Sequence, residues 1–310
     1  MADNAPEHDR TASLMTPAKL AQASRAKAAA SPSAWLDRMA ADAGHLHVQR
    51  LAELAEVLQT HARARRHGNV LEGMEQLRQA LPQLQFDQLQ ARGWWARTTG
   101  KGKSAGAQFA TAFEPLEPVA AGLALQVEGL AKSAQAEAAA TDRALVEFEV
   151  EYRALDKVVD QGARWLQDMQ SQLKARQAAA TDAAGQQQIR DDAARCEILM
   201  ARLKLLRDAV GHAQQSHQQA LATATRRHAV LRQVQACKLK EWRASLSALS
   251  LAVAEGGAAP ESQVESALAA QAALEAGLAE AAAGLQELHA QEQALADGLE
   301  VLKRGLGAAA

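Results

Sequence analysis

From Asp191 to Ala254 the chain runs for about sixty residues without a proline, and its only glycine there is Gly211. Leu199, Leu203, Leu206, Val210, Ala213, Leu221, Ala224, Leu231, Leu239, Trp242, Leu246, Leu249 and Val253 recur along it, mostly at gaps of three and four. That spacing places a narrow apolar stripe on one side of a helix. An unbroken helix of this length would extend about 90 Å, too far for a globular core to hide it. Other helices must therefore lie along the stripe. The expected fold is all-α, an elongated antiparallel helical bundle or coiled coil with one very long helix.

Composition agrees. Apolar residues make up 48% of the 310 and aromatics only 3%, with alanine supplying much of the apolar share. Alanine is the best helix former and a poor filler of a thick core, so long thin helices are favoured over a compact globule. A net charge of −2 gives no global attraction to nucleic acid or anionic membrane. Cys196 and Cys237 lie on the same expected helix, about 60 Å apart if it is unbroken, which excludes a disulfide between them. Reduced thiols and a cytoplasmic location follow, with the periphery of the inner membrane as a further possibility. No run of eighteen apolar residues indicates a transmembrane helix, and the N-terminal sequence has no signal-peptide pattern.

Five segments are expected. Residues 1–32 read as a disordered arm. Residues 33–90 form a small helical region. Its first helix carries Trp35, Leu36, Met39, Leu46, Leu51, Leu54 and Leu58, and a turn at His67-Gly68-Asn69 ends it. A short helix with Leu71, Met74, Leu77 and Leu81 then stops at Pro82. Residues 91–106 form a basic turn with two adjacent tryptophans, four glycines and four cationic residues. Residues 107–255 form the long antiparallel coil. Within it Leu145, Phe148, Tyr152, Leu155, Val159, Gly162, Leu166, Met169 and Leu173 alternate gaps of three and four, a coiled-coil seam with a glycine at one core position. Gly162 would let a neighbour approach closely. A hairpin at Thr181–Gly185, capped by Asp182, returns the chain, and Trp242 is expected to pack against the 141–178 arm. Residues 261–304 form an Ala-rich last helix carrying Leu274, Leu278, Ala281, Leu285, Leu288, Glu292, Leu295, Leu299 and Leu302. It is either a third strand of the coil or a partner-binding tail.

Catalytic chemistry is not indicated, and no cofactor is expected. Gly102-Lys103-Ser104 ends like a phosphate-binding loop, but Arg97 stands where that loop needs its first glycine, and no strand leads in. The histidine and cysteine spacings fit no metal site. The carboxylates form no close pair suited to acid–base work. Of two basic clusters, Arg63-Arg65-Arg66-His67 reads as a helix C-terminus, and Arg226-Arg227-His228 lies mid-helix without the net basic face or recognisable module that DNA binding would want. What remains is an anion- or partner-binding surface of Arg92, Trp94, Trp95, Arg97, Lys101 and Lys103, whose amides and cations suit an oxyanion or acidic headgroup. Gly162, Arg202, Trp242 and Arg243 are structural candidates.

Three blocks between Leu84 and Val253 resemble the TelA-like toxic anion (tellurite) resistance family. The first is Phe86-Asp87-Gln88-Leu89, then Arg92-Gly93-Trp94-Trp95 and the Gly/Lys turn, then Phe109, Phe113, Leu116, Glu117, Val119, Leu123 and Leu130. The second is Leu199-Met200-Ala201-Arg202-Leu203 with Leu206. The third is Leu239-Lys240-Glu241-Trp242-Arg243-Ala244-Ser245-Leu246. The chain departs from the family where paired asparagines usually follow an isoleucine-arginine pair, having Thr223-Ala224-Thr225-Arg226-Arg227 instead. It also has Lys240 where a proline usually stands. The resemblance implies a non-enzymatic helical protein of toxic anion resistance or envelope stress, acting by binding partners or anions. The alternative is a coiled-coil scaffold that gathers protein partners or self-associates through its seams. No nucleic acid partner is expected.

Overall fold

The computed structural model describes residues 44–65, 67–86, 89, 101–254 and 260–309, with the side chains of 101–105 and 254 left out. Among the described residues every regular element is helical. The helices are α1 (His45–Ala64), α2 (Gly68–Ala80), α3 (Lys101–Phe113), α4 (Leu116–Ala179), α5 (Ala183–Ala236), α6 (Leu239–Ala254) and α7 (Glu261–Ala309), with a 3-10 turn at Leu81–Gln83. They pack as an all-α helical bundle.

Local chemistry explains most boundaries. Pro82 lies in the 3-10 turn that ends α2, because proline cannot donate to a continuing helix. Pro115 separates α3 from α4, and Pro118 lies in the first turn of α4, where a missing N–H costs nothing. At the α4–α5 hairpin the Gly185 N–H donates to the Asp182 carboxylate at 3.4 Å, so Asp182 caps α5 as expected.

Four boundaries differ from expectation. The helix expected to run on from Trp35 is interrupted at Gly44, which turns the chain at φ +75°, a conformation that favours glycine, and α1 follows from His45; Trp35, Leu36 and Met39 lie outside the described residues. Leu46, expected on its apolar face, is exposed. Gly68 and Asn69 are not a turn but open α2. Lys101 to Gly106, expected in the basic turn, belong to α3, and residues 91–100 lie outside the described residues. The single helix expected over 191–254 ends at Ala236, and α6 starts afresh at Leu239. At that break the Cys237 thiol donates to the Gly277 carbonyl at 3.3 Å, and the Leu239 N–H donates to the Cys237 carbonyl at 2.7 Å. No proline or glycine marks the break. Tertiary packing makes it, and the 64-residue α4 is the longest helix among those described.

The chain divides into two compact units, and α1, α4, α5 and α7 contribute to both. The first comprises Met1–Thr60, Arg143–Gln219 and Leu295–Ala310. Its pairings show antiparallel neighbours. Between α4 and α5, Asp160 pairs with Arg207 at 2.7 Å and Arg176 with Asp192 at 2.8 Å, so one helix descends as the other rises. Between α1 and α4, His47 meets Glu151 at 2.6 Å and Arg50 meets Glu147 at 2.5 Å. The α4 seam is buried at Leu145, Phe148, Tyr152, Leu155, Val159, Leu166, Met169 and Leu173. His217 stacks on Phe148 with ring centroids 6.3 Å apart and lies 5.6 Å from the Tyr152 ring. Burial, only partly opposed by Glu149, lowers the pKa of His217 and favours its neutral ring. A Cβ on Gly162 would stand 2.7 Å from a Leu203 methyl, so Leu203 fills the space that the absent side chain leaves.

The second unit comprises His61–Asp142 and Ala220–Ala294. Its core joins Val70, Met74, Leu77 and Leu81 of the α2 region, Phe109 and Phe113 of α3, and Leu116 and Leu123 of α4. Val230 and Val234 of α5, Trp242, Leu246 and Leu249 of α6, and Leu274 to Leu288 of α7 complete it. Trp242 is 0% exposed. Its ring packs against Phe113, centroids 6.1 Å apart, within a core that draws nothing from the 141–178 arm where packing was expected. The break after α5 frees α6 to lie against α3 instead. Leu274, Leu278, Leu285 and Leu288 are buried in this unit, and Leu295, Leu299 and Leu302 in the first. These leucines of the last helix are therefore covered by the chain itself.

Candidate functional site: a buried charge cluster on Glu292

Glu292 occupies a leucine position of the α7 stripe, and its side chain is only 2% exposed. Burying a lone carboxylate would cost several kcal/mol, so the fold must supply partners. It does so from two separate parts of the second unit, α5 and the α1–α2 link. Arg227 of α5 donates to Glu292 Oε1 from Nε at 3.0 Å and Nη2 at 2.9 Å. His67, at the N-cap of α2, meets Oε2 through Nε2 at 2.8 Å and is itself 2% exposed. Arg65, between α1 and α2, reaches Oε1 from Nη1 at 3.4 Å.

A polar surround continues the cluster. Arg65 Nη2 donates to Thr141 Oγ1 at 3.3 Å, and Arg65 Nε stands 3.6 Å from a Glu137 carboxylate oxygen. Thr141 Oγ1 also donates to the Glu137 carbonyl at 3.0 Å and lies 3.2 Å from His61 Nδ1. The His289 ring meets His67 edge-on at 6.3 Å. Burial pushes the Glu292 carboxyl up. The hydrogen bond from His67 and the charges of Arg227, His67 and Arg65 outweigh this and hold it below its ordinary value. Arg65 is lowered, first by burial and then by the like charge of Arg227, against the pull of Glu292 and Glu137. Such a cluster can fix the register of four chain segments, and it can hold charge where water is scarce.

The sequence placed the members of this cluster without connecting them. Arg65 and His67 belong to the cluster read as a helix end, Arg227 to the mid-helix cluster, and Glu292 interrupts a run of leucines. The signal was that acid at a core position, since charged residues are almost never fully buried unless paired.

Of the expected binding surface, Arg92, Trp94, Trp95 and Arg97 lie outside the described residues. Lys101 and Lys103 fall in the first turn of α3, where only the backbone is described. Arg202 is half-buried in the first unit, and its Nε and Nη2 have no hydrogen-bond partner among the described residues. Arg243 pairs with Glu117, joining α6 to the start of α4. Among the described residues no three His, Cys, Asp or Glu side chains gather as a metal would require. No described helix is long and apolar enough to cross a membrane. Burial raises both thiols, aided at Cys196 by Asp192 and at Cys237 by Glu280, which suppresses the reactive thiolate.

No protein-family model, curated protein or solved structure matches the chain.

Proposed function

We propose that this is a non-enzymatic, cytoplasmic helical protein of the toxic anion resistance type, acting by binding anions or partners. One observation carries the reading. The first and third blocks of the family resemblance, which are more than a hundred residues apart in sequence, meet in one core. Phe86 packs edge-on against Phe109 at 5.3 Å, Phe113 against Trp242 at 6.1 Å, and Glu117 pairs with Arg243. Residues from two blocks of the resemblance are thus mutual neighbours, which is what a shared core would require. The same core holds Phe86 and Phe109, which flank the stretch with Arg92, Trp94, Trp95, Arg97, Lys101 and Lys103. That stretch is the proposed contact to an oxyanion, acidic headgroup or protein partner.

The test is a deletion strain challenged with graded tellurite, complemented by the wild-type chain or by a variant with Arg92, Arg97, Lys101 and Lys103 changed to Gln. Resistance restored by the first and not the second is the expected result. A deletion strain as resistant as its parent would remove the resistance reading and leave the scaffold alternative.

A further inference from the structure

The charge cluster leaves Arg65 poorly matched. Arg227 and His67 hold Glu292 at 2.8–3.0 Å, whereas the three contacts of Arg65 to Glu292, Thr141 and Glu137 lie at 3.4, 3.3 and 3.6 Å. Charge-assisted N–H···O bonds normally close to about 2.7–2.9 Å. The Arg65 side chain is nonetheless 8% exposed and that of Arg227 12%. Two largely buried guanidiniums therefore share one carboxylate, and one of them makes only long bonds. His67 Nδ1 is also buried without a hydrogen-bond partner among the described residues.

These three side chains line a surface cleft of about 290 Å³, with Asn69 of α2 and Gln126 and Ser133 of α4. Its lining is rich in donors. Glu137, its acidic residue, already faces Arg65 and accepts from Ser133 at 3.1 Å. We propose that this cleft binds a small oxyanion, which supplies Arg65 with the close acceptor that Glu292 does not. The amides of Asn69 and Gln126 are further donors within the same lining, and a planar guanidinium suits an anion with two or more oxygens. The proposal rests on the reading that the chain acts by binding anions, but it places the site in the second unit's charge cluster and not on the 92–103 stretch.

The experiment titrates the full chain with sodium phosphate and, separately, sodium tellurite by calorimetry, against sodium chloride at matched ionic strength. Gly129→Leu is the decisive variant. Gly129 lines the cleft on α4, and a Cβ there meets nothing within 4 Å, so a larger side chain obstructs the cleft without disturbing the helix. Arg65→Gln is the second variant, with folding checked by circular dichroism. The third changes Arg92, Arg97, Lys101 and Lys103 to Gln. Saturable binding of either oxyanion is expected, about tenfold or more weaker in Gly129→Leu and Arg65→Gln and unchanged in the third variant. Phosphate and tellurite binding alike would mark a general oxyanion site, and tellurite alone a selective one. Binding that survives Gly129→Leu but is lost in the third variant would overturn this site and leave the functional reading standing. No saturable binding of either ion by the wild type would also overturn it, while the strain challenge decides the functional reading separately.

Discussion

Replacing Glu292 with Gln removes one charge and almost no volume. Arg227 would lose two charge-assisted bonds and His67 one, and Arg65 would lose its partner at 3.4 Å. The arginines would remain largely buried beside each other, with Glu137 3.6 Å from Arg65. Breaking a buried ion pair from one side typically costs about 3–5 kcal/mol, because the surviving charge stays desolvated. Glu292→Gln should therefore destabilise the protein by about that amount in urea unfolding followed by circular dichroism. Replacing Arg65, Arg227 and Glu292 together with Met, Met and Leu should cost much less, since no unpaired charge is left behind. The pH dependence has a definite sign. The folded Glu292 carboxyl lies below its ordinary value of 4.5, so its contribution is fully present above that pH and is lost as pH falls through the folded value. Stability of the wild type should drop on acidification below about 4.5 more steeply than that of Glu292→Gln. A Glu292→Gln midpoint equal to wild type at neutral pH, or parallel acid profiles, would refute the reasoning.

Two further outcomes follow from packing. Trp242→Ala should cost about 3–5 kcal/mol by urea unfolding, since it empties a fully buried indole site in the second unit's core. Trp242→Phe should cost clearly less, because the indole Nε1 has no hydrogen-bond partner among the described residues to lose. Gly211→Ala should raise stability by about 0.5–1 kcal/mol, since this glycine lies within α5 and a Cβ meets nothing within 4 Å. A lower melting temperature for that variant would show that the site is covered.

Much of the fold was legible because helix formation is local. The three-and-four spacing of Leu145 to Leu173 and of Leu274 to Leu302 marked the buried faces, and Asp182 and Pro82 marked ends through the hydrogen bonds they make or lack. The candidate site was not legible in the same way. Arg65 and Arg227 sit in ordinary local patterns, and only Glu292, an acid at a leucine position, stands out. Their meaning depends on the α1–α2 link, α5 and α7 presenting them to one point, and periodicity does not carry relative register.

The sequence by itself determined that the chain is helical, where most of its helices turn back, and which faces are apolar. Each of these follows from propensity, capping and spacing within a few residues. Only the tertiary structure decided that the 191–254 stretch breaks at Cys237, that Trp242 belongs with Phe113, and that two distant basic clusters neutralise one buried acid. Those outcomes are won by desolvation and packing between segments far apart in the chain. Their energies, a few kcal/mol for a buried aromatic or a buried ion pair, outweigh the fraction of a kcal/mol per residue that local helix propensity supplies.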